Sequence, residues 1–326
     1  VEGKGMIRRH LPVLITLAVF IAGYLICLAQ FPSFASTRVI GNLLTDNAFL
    51  GIVAVGMTFV ILSGGIDLSV GSVIAFTGVF LAVAIERYGL NPYLAFILVL
   101  GLAALFGAGM GFLIHAFQIP AFIVTLAGMF LARGLCFVLT TDSIPINAPA
   151  YGQITDISFT LPGGGRLTFI AIVMLLTFAA GIVLAHFTRF GANVYALGGN
   201  RTSAELMGIP VGKTTIRIYM LSSLLAALAG IVFSFYTSAG YSLAATGVEL
   251  DTIAAVVIGG TLLTGGYGTI IGTLVGVLIQ GLIQTYITFE GTLSSWWTKI
   301  AIGALLFAFI VLQRGLSAAS VRSRSN

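Results

Sequence analysis

Residues 92–116 read PYLAFILVLGLAALFGAGMGFLIHA. The run holds no Asp, Glu, Lys or Arg and shows no alternation of apolar and polar side chains. A bilayer core needs roughly 20 apolar residues in a helix, and this stretch supplies them. In lipid every backbone N–H and C=O must be satisfied internally, which leaves helices or closed barrels. Barrel strands alternate with period two, so an unbroken run selects the helix.

The rest of the chain repeats that pattern. Of its 326 residues 58% are hydrophobic and 8% charged, against about 25% charged in soluble domains. The fold class that follows is an all-α polytopic membrane protein with about ten transmembrane helices and glycine-broken internal repeats. The spans expected are about 11–30, 46–62, 70–86, 92–116, 120–140, 167–186, 214–239, 250–264, 269–289 and 295–312. The apolar part of 250–264 is short and reads equally as a buried or re-entrant segment. No small-residue cleavage site follows the first run, so it reads as a retained span rather than a signal peptide. Residues 1–5, VEGKG, read as an expression remnant or an upstream start before Met6.

The net charge is +5, but the basic residues are scattered at the ends of apolar runs rather than gathered in a patch. That excludes a nucleic-acid partner and points to the lipid bilayer. Lys4, Arg8 and Arg9 precede the first span; Arg189, Arg201, Lys213 and Arg217 surround residues 187–213; Arg314, Arg322 and Arg324 follow the last span. With ten spans these three groups share one side, which positive loops mark as the cytoplasm. Both termini, the 187–213 loop and the 313–326 tail are therefore expected inside. The 141–166 loop, with three prolines and Gly163-Gly164-Gly165, is expected outside as an ordered cap of turns. The whole of 1–326 reads as one transmembrane domain.

Catalytic and metal chemistry find no constellation. Cys27 and Cys136 lie inside apolar runs and read as small buried hydrophobes. His10, His115 and His186 sit far apart near span ends, and no metal motif is present. VGKT at 211–214 lacks the glycine that a phosphate loop needs at Met207, and Pro210 removes an amide from the cradle. Trp296, Trp297 and Tyr93 read as interface anchors. Gly107-x-x-x-Gly111 and Gly268-x-x-x-Gly272-x-x-x-Gly276 put small residues on one face for close helix packing. Ionisable residues between span ends are functional candidates by default. Asp67 reads either as the cap of a helix starting near Leu68 or as part of a transport path. Arg133 reads as snorkelling outward or as a donor to broken-helix carbonyls.

An internal echo joins LSGGIDLSVGS (62–72) to LTGGYGTIIGT (263–273). It reads as chance similarity of glycine-rich apolar segments or as an old duplication, which transporters commonly carry. In both copies the glycines break one helix and start another.

GGNRTSAELMGIPVGK (198–213) interrupts the oily chain with a polar segment. Thr202-Ser203-Ala204-Glu205 fits a capping box with Thr202 as the N-cap. Gly208 suits the left-handed residue after a helix, Ile209 the apolar contact behind it, and Pro210 a stop. A helix of about five residues is not stable alone in water, so the protein or a partner must hold it.

This segment resembles the cytoplasmic coupling loop of permease subunits in bacterial ABC sugar importers, the group handling ribose, xylose, galactose and related sugars. ILSGGIDLSVGSVIAFTG and IAAVVIGGTLLTGGYGTIIGTLVG are similar to that family's other two hallmark stretches, in the same order. The resemblance covers Met6 to Arg314. ITLAGMFLARG, IPINAPAYG, LPGGGRL and GLIQTYITFEGTLSSWWTKIAIG look closest to the YjfF-type permeases of galactofuranose importers. The resemblance implies a transport subunit of the bacterial inner membrane rather than an enzyme. A periplasmic sugar-binding protein captures the sugar, a second permease chain completes the pathway as a heterodimer, and a cytoplasmic ABC ATPase with two nucleotide-binding domains holds the ATP and magnesium. No cofactor is expected on this chain. Asn200, Arg201, Thr202, Ser203, Ala204, Glu205, Leu206, Met207 and Gly208 would couple to the ATPase. The family does not supply sugar contacts. Candidates for the translocation path are where the two broken repeats meet: Ser63, Gly64, Gly65, Asp67, Ser69, Thr264, Gly265 and Gly266. The rival reading is a stand-alone secondary sugar carrier or channel.

Overall fold

The computed structural model describes residues 2–294 and 296–322, with side chains described for 13–294 and 296–311. The basic residues Lys4, Arg8, Arg9, Arg314, Arg322 and Arg324 of the charge analysis lie outside the described side chains. The helices run α1 (Glu2–Gln30), α2 (Thr37–Asp46), α3 (Ala48–Leu62), α4 (Val70–Ala82), α5 (Pro92–Ala116), α6 (Ala121–Leu139), α7 (Pro149–Thr155), α8 (Phe169–Phe187), α9 (Arg189–Gly199), α10 (Arg201–Leu206), α11 (Val211–Thr237), α12 (Val248–Ile258), α13 (Ile270–Glu290) and α14 (Trp296–Arg322). Four short strands, β1 (Ile144–Pro145), β2 (Ser158–Thr160), β3 (Arg166–Thr168) and β4 (Ala239–Gly240), pair antiparallel as β1–β4 and β2–β3.

Local chemistry sets the boundaries. Asn91 caps α5 by accepting from the Tyr93 N–H at 2.9 Å, with Pro92 at the first helical position. Thr168 caps α8 and Thr188 caps α9 in the same way. Seven helices among the described residues are long and apolar enough to cross a membrane, or eight if α2 and α3, bent by 54° at Asn47, count as one span. The expected figure of about ten is loose against this count, although each expected span falls on a helix. Helix α12 has 11 residues, roughly 16 Å of helix against a hydrocarbon core of about 30 Å. Helix α14 runs for 27 residues, Trp296–Arg322, and opens with the apolar stretch Trp296–Val311.

Helix α3 is the centre of the core, buried at nearly every position and surrounded by α8, α11, α12 and α13. Its Thr58 shares a 2.7 Å hydrogen bond with Thr273 of α13. The small-residue faces pack as the sequence predicts. Any side-chain carbon at Gly107 would strike the Tyr219 carbonyl oxygen, and one at Gly111 would lie 2.7 Å from Ile216 Cα, so α5 and α11 meet backbone to backbone. Gly276 abuts the Ala255 carbonyl of α12 in the same manner. Leu105, Ile97 and Val138 point outward, as lipid-facing positions do.

Connections gather at two ends. At one, β1–β4, α7 and the β2–β3 hairpin form the cap expected from 141–166. The Gly165 N–H donates to Thr37 Oγ1 at 3.1 Å and the Asn147 N–H to Glu86 at 2.7 Å. Tyr151 of this cap lies against Phe235 and hydrogen-bonds Ser234 at 3.1 Å. Burial pushes its phenol up to about 12, so it stays neutral. At the other end lie the 63–69 and 259–269 turns and the paired helices α9 and α10. Arg133 donates to the Ser242 and Ala244 carbonyls at 2.7 and 2.8 Å, which is the broken-backbone reading of that residue.

Candidate functional site: the glycine junction and its surface helix

The two echoing segments open alike at their first glycine and diverge at the second, where Gly266 is left-handed at φ 74° and bonds across to Leu62 while the Gly65 N–H bonds back to Val60. Gly64 and Gly265 both sit at φ 83°, and their N–H groups close equivalent bonds, to Ile61 at 2.9 Å and Leu262 at 3.0 Å. The turns then touch each other. The Gly266 N–H donates to the Leu62 carbonyl at 2.8 Å, and a side-chain carbon at Gly265 would come within 2.7 Å of the Gly64 nitrogen. The end of α9 packs onto both. A carbon at Gly198 would strike the Leu62 carbonyl oxygen and lie 2.5 Å from the Gly266 nitrogen. Three backbones thus meet at distances that only glycine permits.

Helix α10 begins directly after this contact. Its cap is Asn200, whose side-chain oxygen accepts from the Ser203 N–H at 2.8 Å. The capping box expected from Thr202 and Glu205 is not what forms. Helix α9 holds the chain through Gly199, so residue 200 is the one left in the extended conformation of an N-cap, at φ −162° and ψ 111°. The other end follows the sequence reading. Gly208 is left-handed at φ 80°; its N–H bonds Glu205, and the Ile209 N–H bonds Ala204 at 3.1 Å, the paired bonds of a Schellman stop. Helix α9 itself was not anticipated.

Ala204 is the buried residue of α10. The opposite face presents Leu206, 84% exposed, and Met207, 70% exposed, beside the exposed Arg201, Thr202, Ser203 and Glu205. Leu206 on this helix and Met207 at its end are large apolar side chains that this chain leaves uncovered.

The path candidates separate into two sets. Ser63, Gly64 and Gly65 line a cavity of about 220 Å³ with Gln118, Arg201 and Tyr219. Thr264, Gly265 and Gly266 sit across the junction from them. Asp67 and Ser69 lie fully buried behind it. One Asp67 oxygen accepts from the Ser69 N–H at 2.9 Å and its hydroxyl at 2.6 Å; the other accepts from Ser222 of α11 at 2.7 Å. The carboxylate steadies the start of α4 and ties it to α11. Tyr219, whose hydroxyl stands over Gly65, and Ser222 were missed by the sequence reading, because two polar residues inside a span carry no motif.

A family model described as "Branched-chain amino acid transport system / permease component" matches residues 39–310. The chain is 68% identical to the inner membrane ABC transporter permease protein YjfF of Escherichia coli (strain K12), over 96% of this chain and 94% of that protein. It is 37% identical to the fructose import permease protein FruG of Bifidobacterium longum (strain NCC 2705), over 97% and 94%. It is 42% identical to the ribose import permease protein RbsC of E. coli (strain K12), over 79% of each chain. No solved structure matches.

Proposed function

The chain belongs to the permease-component family of ABC transporters, and from that footing we propose that it forms, together with a second and different permease chain, the membrane pathway of an ATP-driven importer for galactofuranose. Its relatives are transport subunits, and ATP hydrolysis falls to a separate ATPase. A substrate-binding protein delivers the sugar from outside. Support for a sugar comes from the ribose and fructose permeases among the relatives. The narrower assignment to galactofuranose rests on the resemblance of the four stretches quoted above.

The observation that carries the mechanism is the junction. Helix α10 follows the Gly198–Gly199 contact by one residue, and that contact bears on both broken turns at once. An ATPase that grips Leu206 and Met207 and then closes would push on Leu62 and Gly266 through α9. The junction end faces the cytoplasm in this reading, following the positive-loop assignment of Arg189, Arg201, Lys213 and Arg217, while at the cap end Arg38, Arg87, Arg166 and Lys299 stand among Asp46, Glu86, Asp142, Asp156 and Asp251. Ser63, Gly64, Gly65, Thr264, Gly265 and Gly266 form the inner mouth of the path. Asp67 and Ser69 hold its wall. ATP and magnesium bind on the partner ATPase.

The test is the complete importer in proteoliposomes, supplied with galactofuranose. Leu206→Asp leaves the chain's accumulation and thermal stability unchanged. It lowers ATPase co-purification and sugar-stimulated hydrolysis at least about tenfold, since a buried apolar anchor at an interface is worth about 2 kcal/mol or more. Wild-type coupling in that variant, or sugar flux through this chain without the ATPase, overturns the proposal. Ala204→Trp is a poorer probe than its position suggests, because Ala204 is buried against this chain's own core.

A further inference from the structure

The cap end holds a cavity of about 530 Å³, within the 300–1,000 Å³ typical of small-molecule sites. It lies where five elements converge: the α2–α3 bend and the cap-side ends of α11, α12, α13 and α14. A second hollow of about 450 Å³ shares Asp46, Asn47, Gln284 and Thr288 with it and continues it outward past Arg38 and Asn42.

Its walls are of two kinds. Phe49, Phe233 and Trp296 give flat apolar surface, the two phenylalanines meeting edge to face at 5.0 Å. Between them stand hydrogen-bonding groups of both senses. Asp46 supplies a carboxylate, which accepts from the Tyr236 hydroxyl at 3.3 Å. Asp251 is paired with Lys299 at 2.5 Å, and its backbone carbonyl accepts from the Gln280 amide at 3.0 Å. Gln284 is one turn past Gln280 on the same face of α13, exposed, and its side-chain amide has no hydrogen-bond partner among the described residues.

This is the surface that a neutral polyol matches. A sugar offers hydroxyl edges that both donate and accept, and C–H faces that lie against aromatic rings. Charged ligands fit less well. Lys299 is already engaged by Asp251 and Asp46 repels a carboxylate or phosphate, while the other cation nearby, Arg38, stands in the outer hollow and not on this cavity's wall. We propose that this cavity is a sugar-holding site inside the permease chain, selective for neutral polyols of hexose size, from which the sugar enters the path. The proposal rests on the sugar-import reading. Walls of apolar rings and scattered hydrogen-bonding groups suit weak retention: a conduction site must bind well enough to be entered and loosely enough to be left.

The test uses the assembled importer carrying Thr288→Cys, a position on the wall of both hollows. The native Cys27 and Cys136 are buried. Methyl galactofuranoside, ribose, fructose, galactose 6-phosphate and L-leucine are each tried for slowing maleimide labelling of the Thr288→Cys thiol, and for stimulating ATP hydrolysis in the wild type. The expected result is that the neutral sugar which stimulates hydrolysis also slows labelling. Adding Gln284→Leu should raise the sugar concentration needed by about three- to tenfold, the worth of one hydrogen bond. A sugar that stimulates hydrolysis without protecting overturns the site, as does protection by leucine or the sugar phosphate alone. A neutral sugar that protects without stimulating hydrolysis keeps the site and overturns the import reading.

Discussion

At residues 62–72 and 263–273 the chain twice opens a turn on a left-handed glycine, Gly64 and Gly265, but different things hold the two copies. The first is pinned inward: Asp67 accepts from Ser69 twice and from Ser222, a residue in the middle of α11. The second has Gly268 where the first has Asp67. Its backbone, at φ 154°, leaves no room for a side chain, because a carbon there would meet Thr261 Oγ1. What holds the second copy is the Gly268 carbonyl, which accepts from the Tyr195 hydroxyl at 2.8 Å, and Tyr195 belongs to α9. Past its turn the second segment also reaches a span, through Thr273 and Thr58 of α3, so the contrast lies in the turns themselves: the first is tied to α11 and the second to the helix that leads into α10. If these anchors govern motion, the 62–72 turn is the fixed bearing and the 263–273 turn moves with the surface helices.

The strongest way to break this picture is at the point both copies share. Gly198 and Gly199 are neighbours at the end of α9, yet their surroundings are opposite. A methyl group at Gly198 collides with the Leu62 carbonyl, whereas one at Gly199 meets nothing within 4 Å. Backbone cannot rotate away as a side chain can, so Gly198→Ala should cost roughly 3 kcal/mol, the upper end of overpacking penalties. Gly199→Ala should be neutral or stabilising by up to about 1 kcal/mol, through helix propensity. Thermal unfolding of the two purified variants checks this. Equal midpoints would mean that α9 does not press on the junction.

The contrast between the anchors sharpens with Asp67. Leucine there has similar bulk but accepts nothing, leaving the Ser69 N–H and the Ser222 hydroxyl to find other partners. Asp67→Leu should destabilise by about 2–4 kcal/mol, since each buried unsatisfied group costs about 1–3 kcal/mol. Asp67→Asn keeps an oxygen for Ser69 and presents an amide to Ser222, so its cost should stay under about 1 kcal/mol. Measured in one unfolding series, an Asn variant as damaged as the Leu variant would show that the charge itself matters. That would return Asp67 to the translocation path.

How much of this could be read from the chain follows a physical line. Helical membrane class was legible because lipid leaves few alternatives, and 92–116 alone nearly decides it. The echo of 62–72 in 263–273 was legible because glycine spacing is local. The span count was not, since 250–264 is as oily as a span while Gly259 and Gly260 end α12 early, the latter at φ 93°. The cap of α10 was misread because Asn200 and Thr202 both fit the motif, and only the unanticipated α9 decides between them. Asp67 and Ser222 lie 155 residues apart, and no local pattern joins them. The polar cavity was invisible for the same reason: its Asp46, Tyr236, Asp251, Gln284 and Lys299 come from five helices, each a lone polar residue near a span's end.

The mildest change tests the other half of the comparison. Tyr195→Phe removes one hydroxyl and keeps the ring, which lies roughly parallel to His186 with centroids 6.2 Å apart. The lost bond to Gly268 is worth about 0.5–1.5 kcal/mol, so the unfolding midpoint should move less than for either Gly198→Ala or Asp67→Leu. If the 263–273 turn merely rests against α9, nothing else follows. If α9 drags that turn, weakening the Tyr195–Gly268 hydrogen bond between them should uncouple the ATPase from the pathway. ATP hydrolysis would then continue while sugar moved per ATP falls, and Asp67→Asn, at comparable stability, would leave that ratio intact. A ratio unchanged by Tyr195→Phe, or lowered equally by both variants, would mean that the two turns move as one body and that the asymmetry of their anchors has no mechanical consequence.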